Sequence, residues 1–119
     1  LVILAIGENV PALGSDDNKA RFKAGVLKIL RGALARRHPL VAVRSSFWAD
    51  AAKDQVLSQA CQEADAIFVN AGPLGKDAAN VARSERPFEH DGVAAHPGDK
   101  GMKALAEAIV QAVLERAAR

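Results

Sequence analysis

The sequence predicts an α/β domain in which a parallel sheet carries helices on both faces. Two observations lead there. Short apolar runs at residues 1–6, 40–43 and 66–69 alternate with longer stretches whose apolar residues recur at helical spacing. The connections between the runs are long enough to hold a crossover helix, which implies parallel strands and right-handed connections. At 119 residues the chain fits one domain with a modest core.

The first run, residues 1–6, is continuously apolar, as in a parallel strand covered on both faces. It opens at Leu1 without a polar lead-in. The chain is therefore expected to be the C-terminal part of a longer protein, so the absence of a leader says nothing about compartment. Gly7-Glu8-Asn9-Val10-Pro11 follows as a turn, with Gly7 free to take a positive φ. Ser15, Asp16, Asp17 and Asn18 are N-cap candidates for a helix expected to run to about Arg37. Its inner stripe is Phe22, Val26, Ile29, Leu30 and Ala33. After Pro39 the second strand runs into Arg44-Ser45-Ser46-Phe47-Trp48. Asp50 can cap the next helix, which buries Leu57, Ala60, Cys61 and Ala64.

The third strand leads into Asn70-Ala71-Gly72-Pro73-Leu74-Gly75-Lys76, read as a loop. Residues 76–95 show no period and are expected to be irregular, with one short helical turn near residues 77–81. The last helix starts near Asp99, with Met102, Leu105, Ala106, Ile109 and Val113 on its apolar face. No repeat or interdomain linker interrupts the chain.

Composition excludes several classes. A net charge of +2 with scattered basic residues gives no nucleic-acid footprint, and only Arg36 and Arg37 are adjacent, before His38. No apolar run reaches membrane-spanning length. The single cysteine, Cys61, forms no internal disulfide and reads as a small core residue. His38 and His90 have no metal-ligand spacing with each other or with Cys61, so neither metal nor cofactor is expected. Gly72-Pro73-Leu74-Gly75-Lys76 lacks the Walker spacing and the following Ser/Thr, which argues against a phosphate loop.

Ligands in such sheets bind outside the carboxyl ends of the strands. That rule gathers Asn9, the segment 45–48, the loop 70–76 and His96 onto one surface. His96 stands before Pro97 at the start of the last helix, where unpaired N–H groups would disfavour imidazolium and leave the ring available as a base. The plain alternative is a surface histidine in a helix-start turn. Asn9 is either a donor to a developing oxyanion or a turn residue. Ser45 and Ser46 are more often loop hydrogen-bonders than nucleophiles. Trp48 is a lid over the core or a stacking surface for a ligand. Asp91 is the candidate to orient the imidazole.

Gly7-Glu8-Asn9-Val10, Ser45-Ser46-Phe47-Trp48 and His96-Pro97-Gly98-Asp99-Lys100-Gly101-Met102 resemble the SGNH (GDSL-type) hydrolases. The Gly-x-Asn turn is similar to that family's third conserved block and the histidine stretch to its fifth. The resemblance spans essentially the whole chain and implies a flavodoxin-like α/β/α domain, with the N-terminal part of the fold outside this sequence. It implies hydrolysis of acyl or acetyl esters, often on carbohydrate, with Asn9 in the oxyanion hole and His96 as base. Gly7 and Trp48 are expected at the substrate.

Two departures accompany the resemblance. The family's Gly-Asp-Ser nucleophile block and its glycine block are absent, and belong before Leu1. Its acid commonly sits three residues before the histidine, where this chain has Val93, while Asp91 is five before. Either a bulge returns Asp91 to the ring, or a backbone carbonyl orients His96 in a dyad. The serine would then come from a companion N-terminal segment or chain. Two other readings stand beside this one: a glycan- or protein-binding module on the same fold, and a complete small hydrolase using Ser45 or Ser46.

Overall fold

The computed structural model describes every residue except Arg36 and His38, so the reading of His38 lies outside the described residues. The elements run β1 (Val2–Ala5), α1 (Asp16–Leu34), β2 (Val41–Arg44), α2 (Ala51–Glu63), β3 (Ile67–Val69), α3 (Gly72–Lys76), α4 (Asp91–Ala94) and α5 (Asp99–Ala117). Two 3-10 turns, Ala78–Asn80 and Ala82–Ser84, lie between α3 and α4. The strands form one parallel sheet in the order β1-β2-β3, with Val43 beside both Leu4 and Phe68. The α/β class and the parallel sheet agree with the sequence reading.

Local chemistry sets the helix starts. The Ser15 hydroxyl accepts from the Asn18 amide at 3.2 Å, and the Asp50 carboxylate accepts from the Lys53 amide at 3.1 Å. Each occupies one of the amides that a helix start leaves without an intrahelical partner. α1 stops at Leu34, short of Arg37, which takes a φ of 57° that no right-handed helix can continue. β2 is displaced by one residue from the predicted run and includes Arg44.

Side-chain alternation along the strands separates the two faces. Val41 and Val43 join Val26, Leu27 and Leu30 of α1 and Leu57, Ala60 and Cys61 of α2 in the main core. Leu27 replaces Ile29 in the expected inner stripe, and Ile29 is 46% exposed. On the other face α5 packs across β3 and β2. A second cluster of Phe47, Ala71 and Leu105 closes the carboxyl end of the sheet.

β1 corrects the expectation of a strand covered on both faces. Val2 and Leu4 pack on the main core, whereas Ile3 is 52% exposed although its neighbour Ala42 is fully buried. The reason is width. One helix spans about two strands, and α5 lies over β2 and β3. Met102, placed on the apolar face of α5 by its spacing, is 57% exposed. Among the described residues no strand pairs with the outer edge of β1.

Cys61 is buried in the main core, and loss of solvation pushes its thiol up to about 11. The reactive thiolate is therefore scarce near neutrality. In the native protein, iodoacetamide at pH 8 is expected to modify Cys61 at least tenfold more slowly than in urea. Equal rates followed by mass spectrometry would contradict its place in the core.

Candidate active site

The loops after β1 and β2 are tied together at the carboxyl edge of the sheet. Gly7 takes a φ of 97°, which favours glycine, and a Cβ there would be tight against the Phe22 ring at 3.0 Å. The turn closes through a hydrogen bond from the Val10 amide to the Gly7 carbonyl at 3.2 Å, leaving Asn9 exposed. Beside it Glu8 pairs with Arg44 at 2.7 Å, and the same guanidinium donates to the Ser45 carbonyl at 2.9 Å. The part-buried Lys53 ammonium donates to the Val10 carbonyl and holds the far side of this loop to α2.

Both serines after β2 are occupied structurally. Ser45 is fully buried, and its Oγ accepts from the Ala71 amide at 2.8 Å, joining the exits of β2 and β3. Ser46 Oγ accepts from the Trp48 amide at 3.1 Å and shapes the turn that brings the indole outward. Burial and these contacts give both the loop-bonding role that consecutive serines more often have.

His96 and Trp48 are brought together. Their rings are perpendicular with centroids 4.8 Å apart, and Trp48 Nε1 donates to the Ala95 carbonyl at 3.2 Å. His96 Nδ1 lies 2.7 Å from the Gly92 carbonyl oxygen. A carbonyl only accepts, so Nδ1 donates to it, and in the neutral form of the ring Nε2 is the atom left to accept. Of the two arrangements open in the sequence, the structure has the backbone carbonyl. Asp91 is exposed in the first turn of α4 and makes no hydrogen bond to the ring. Asn9 makes no side-chain hydrogen bond among the described residues and does not contact His96 through one.

The segment 72–98 has more structure than its sequence suggested. Residues 72–76 form α3 rather than a loop, and the two 3-10 turns and α4 follow. The Ala82 amide donates to the His96 carbonyl at 2.8 Å, the Gly98 amide donates to Asn80 at 2.9 Å, and Val81 bridges Pro97. These pairings fix the backbone on both sides of the imidazole.

Glu85 was not singled out by the sequence. Its two carboxylate oxygens accept from the Asp99 and Lys100 amides at 2.8 Å each, supplying the cap that Gly98 lacks. The N–H groups that were expected to face His96 are therefore partly taken by an anion. The helix start next to His96 is thus not the bare pole that the sequence suggested. Hydrogen bonds from the Lys100 and Asp99 amides hold the Glu85 carboxyl below its ordinary value. Its stabilising contribution is complete above the unfolded carboxylate pKa and is lost as pH falls through the folded one. Glu85→Gln is expected to lower the urea midpoint at pH 7, with the gap from the parent closing below about pH 4. A gap that does not change with pH would remove the charge from this account.

Two hollows border the loops. One of about 340 Å³ lies between Val10, Pro11, Leu13 and the start of α1 at Asn18, Arg21 and Phe22, and includes neither His96 nor Trp48. The other, about 260 Å³, is lined by Trp48, Gly75, Ala78, Val81, Arg83 and Ala95. Among the described residues no cluster of His, Cys, Asp and Glu could hold a metal, and no helix is long and apolar enough to cross a membrane.

Comparison with protein-family models, curated proteins and solved structures finds no match to this chain.

Proposed function

We propose that this chain is the C-terminal portion of an SGNH-type serine ester hydrolase, acting on acyl or acetyl esters, including those on carbohydrate. The observation that carries the reading is His96. Its Nδ1 proton is engaged by the Gly92 carbonyl, and Nε2 is left as a proton acceptor beside Trp48 at the carboxyl end of the sheet. In the reaction, a serine Oγ from a companion segment attacks the ester carbonyl while its proton passes to His96 Nε2. Asn9 donates to the oxyanion. As the intermediate collapses, the protonated imidazole gives that proton to the departing alcohol. Water, deprotonated by the same nitrogen, then releases the acid and regenerates the serine.

Ser45 and Ser46 do not supply the nucleophile in this scheme, because both hydroxyls support loop backbone. The bare edge of β1 and the exposed Ile3 favour a further strand and helix on that side, which is where a companion segment would join the sheet. The test is ester turnover by the assembled protein with Asn9→Ala and His96→Ala. The 40% exposure of Trp48 also suits a non-catalytic glycan-binding module. That reading requires saturable binding lost in Trp48→Ala, with no turnover in any assembly.

A further inference from the structure

The hollow lined by Trp48 has a composition that selects its ligand. Its walls are short by construction. Gly75 gives the lining only backbone, and a Cβ there would lie 1.8 Å from the Phe47 carbonyl oxygen, so no larger residue fits at this position. Ala78 and Ala95 end at methyl groups, and Val81 adds a short branched side chain. Trp48 contributes an aromatic wall, but its one N–H is already given to Ala95. A sugar ring needs several polar partners, and this lining offers almost none. Its volume, about 260 Å³, is below the usual range for drug-sized ligands and suits a short chain or one ring.

Arg83 is the exception. It is the single charged residue of the lining, it is exposed, and it forms no ion pair among the described residues. A guanidinium presents a planar fork that matches a carboxylate in two hydrogen bonds. We propose that this hollow binds a small apolar group bearing a carboxylate, with the apolar part against Trp48, Ala78 and Val81 and the carboxylate on Arg83. Ala95 adjoins His96 in the chain and the Trp48 ring lies against the imidazole, so the hollow shares a wall with the surroundings of His96. Resting on the esterase reading, this makes the bound group the acyl half of the substrate, an ester of a short acid with a second, free carboxylate.

Binding is measurable without turnover. Trp48 is the only tryptophan, so its emission reports on the hollow directly. The isolated chain is titrated at pH 8 with phenylacetate and with the uncharged phenylacetamide. A saturable change is expected for phenylacetate, with affinity at least tenfold above that for the amide. Arg83→Gln should bring phenylacetate down to the level of the amide, and Ala78→Leu, which fills the hollow, should abolish both. A urea midpoint near the parent's shows that each variant is folded. Equal affinity for the two probes, indifference to Arg83→Gln, binding that survives Ala78→Leu, or no saturable change would each overturn the proposal. Neither probe is an ester and no serine is needed, so the outcome is separable from hydrolysis. Intact phenylacetate binding with no turnover in any assembly would sink the esterase reading alone.

Discussion

Gly75→Ala is expected to destabilise the protein by about 3 kcal/mol or more, the upper end for a single overpacked atom. A methyl group at this position would stand 1.8 Å from the Phe47 carbonyl oxygen and 2.8 Å from its carbonyl carbon. Both atoms are backbone, so no change of rotamer relieves the contact. Either α3 must withdraw or the chain leaving β2 must bend. Phe47 is buried in the second cluster with Ala71 and Leu105, and Leu74 packs on that cluster from α3. Withdrawal of α3 would therefore open the joint between α5 and the sheet. Gly25→Ala is the opposite case. Gly25 is exposed within α1 and nothing lies within 4 Å of its added methyl. Relative to glycine, alanine there should raise stability by about 0.5–1 kcal/mol. Urea unfolding of the two variants should move the midpoint in opposite directions. A Gly75→Ala midpoint equal to the parent's would mean that the approach of α3 to Phe47 is not as tight as described.

The same contact explains what the sequence could and could not disclose. The caps at Ser15 and Asp50 and the stripe Leu57, Ala60 and Cys61 were legible because their signals are local and periodic. Gly75 was not. Its run reads as a glycine-rich loop, while the reason for glycine is a carbonyl 28 residues earlier in the chain. Residues 78–98 hid their order for a similar reason. They are held by bonds such as Ala82 to His96 and Glu85 to the start of α5, which leave no repeating pattern. Leu27 and Ile29 are both apolar, and only the place where α1 meets α2 and the sheet decides which is buried. Met102 follows the helical period faithfully, yet it is exposed, because the period says which residues share a face and not how far a neighbour covers it. At the site, His96 stood out from its neighbours in sequence, and the structure sets it against Trp48. What holds its ring stayed open between Asp91 and a backbone carbonyl, because a carbonyl has no residue type.

In the assembled protein, His96→Ala is expected to lower kcat for 4-nitrophenyl acetate by at least about 10³-fold with little change in KM. General-base catalysis alone contributes roughly 10²–10⁴-fold, and removing a base that acts as a unit with its serine costs more than that. Asn9→Ala should cost about 10²–10³-fold, the range for one oxyanion donor. Asp91→Asn separates two mechanisms that the sequence alone leaves equal. With Nδ1 held by Gly92, the carboxylate is not needed to select the tautomer, so turnover should stay within about tenfold of the parent. A loss near 10⁴-fold in Asp91→Asn would instead mean that α4 rearranges on assembly and returns Asp91 to the ring. His96→Ala and Asn9→Ala variants that both turn over at the parental rate would end the esterase reading, because the rest of the scheme depends on the free Nε2 and the oxyanion donor. Trp48→Ala would then decide for the binding module, whose prediction is lost ligand affinity with no catalytic rate to lose.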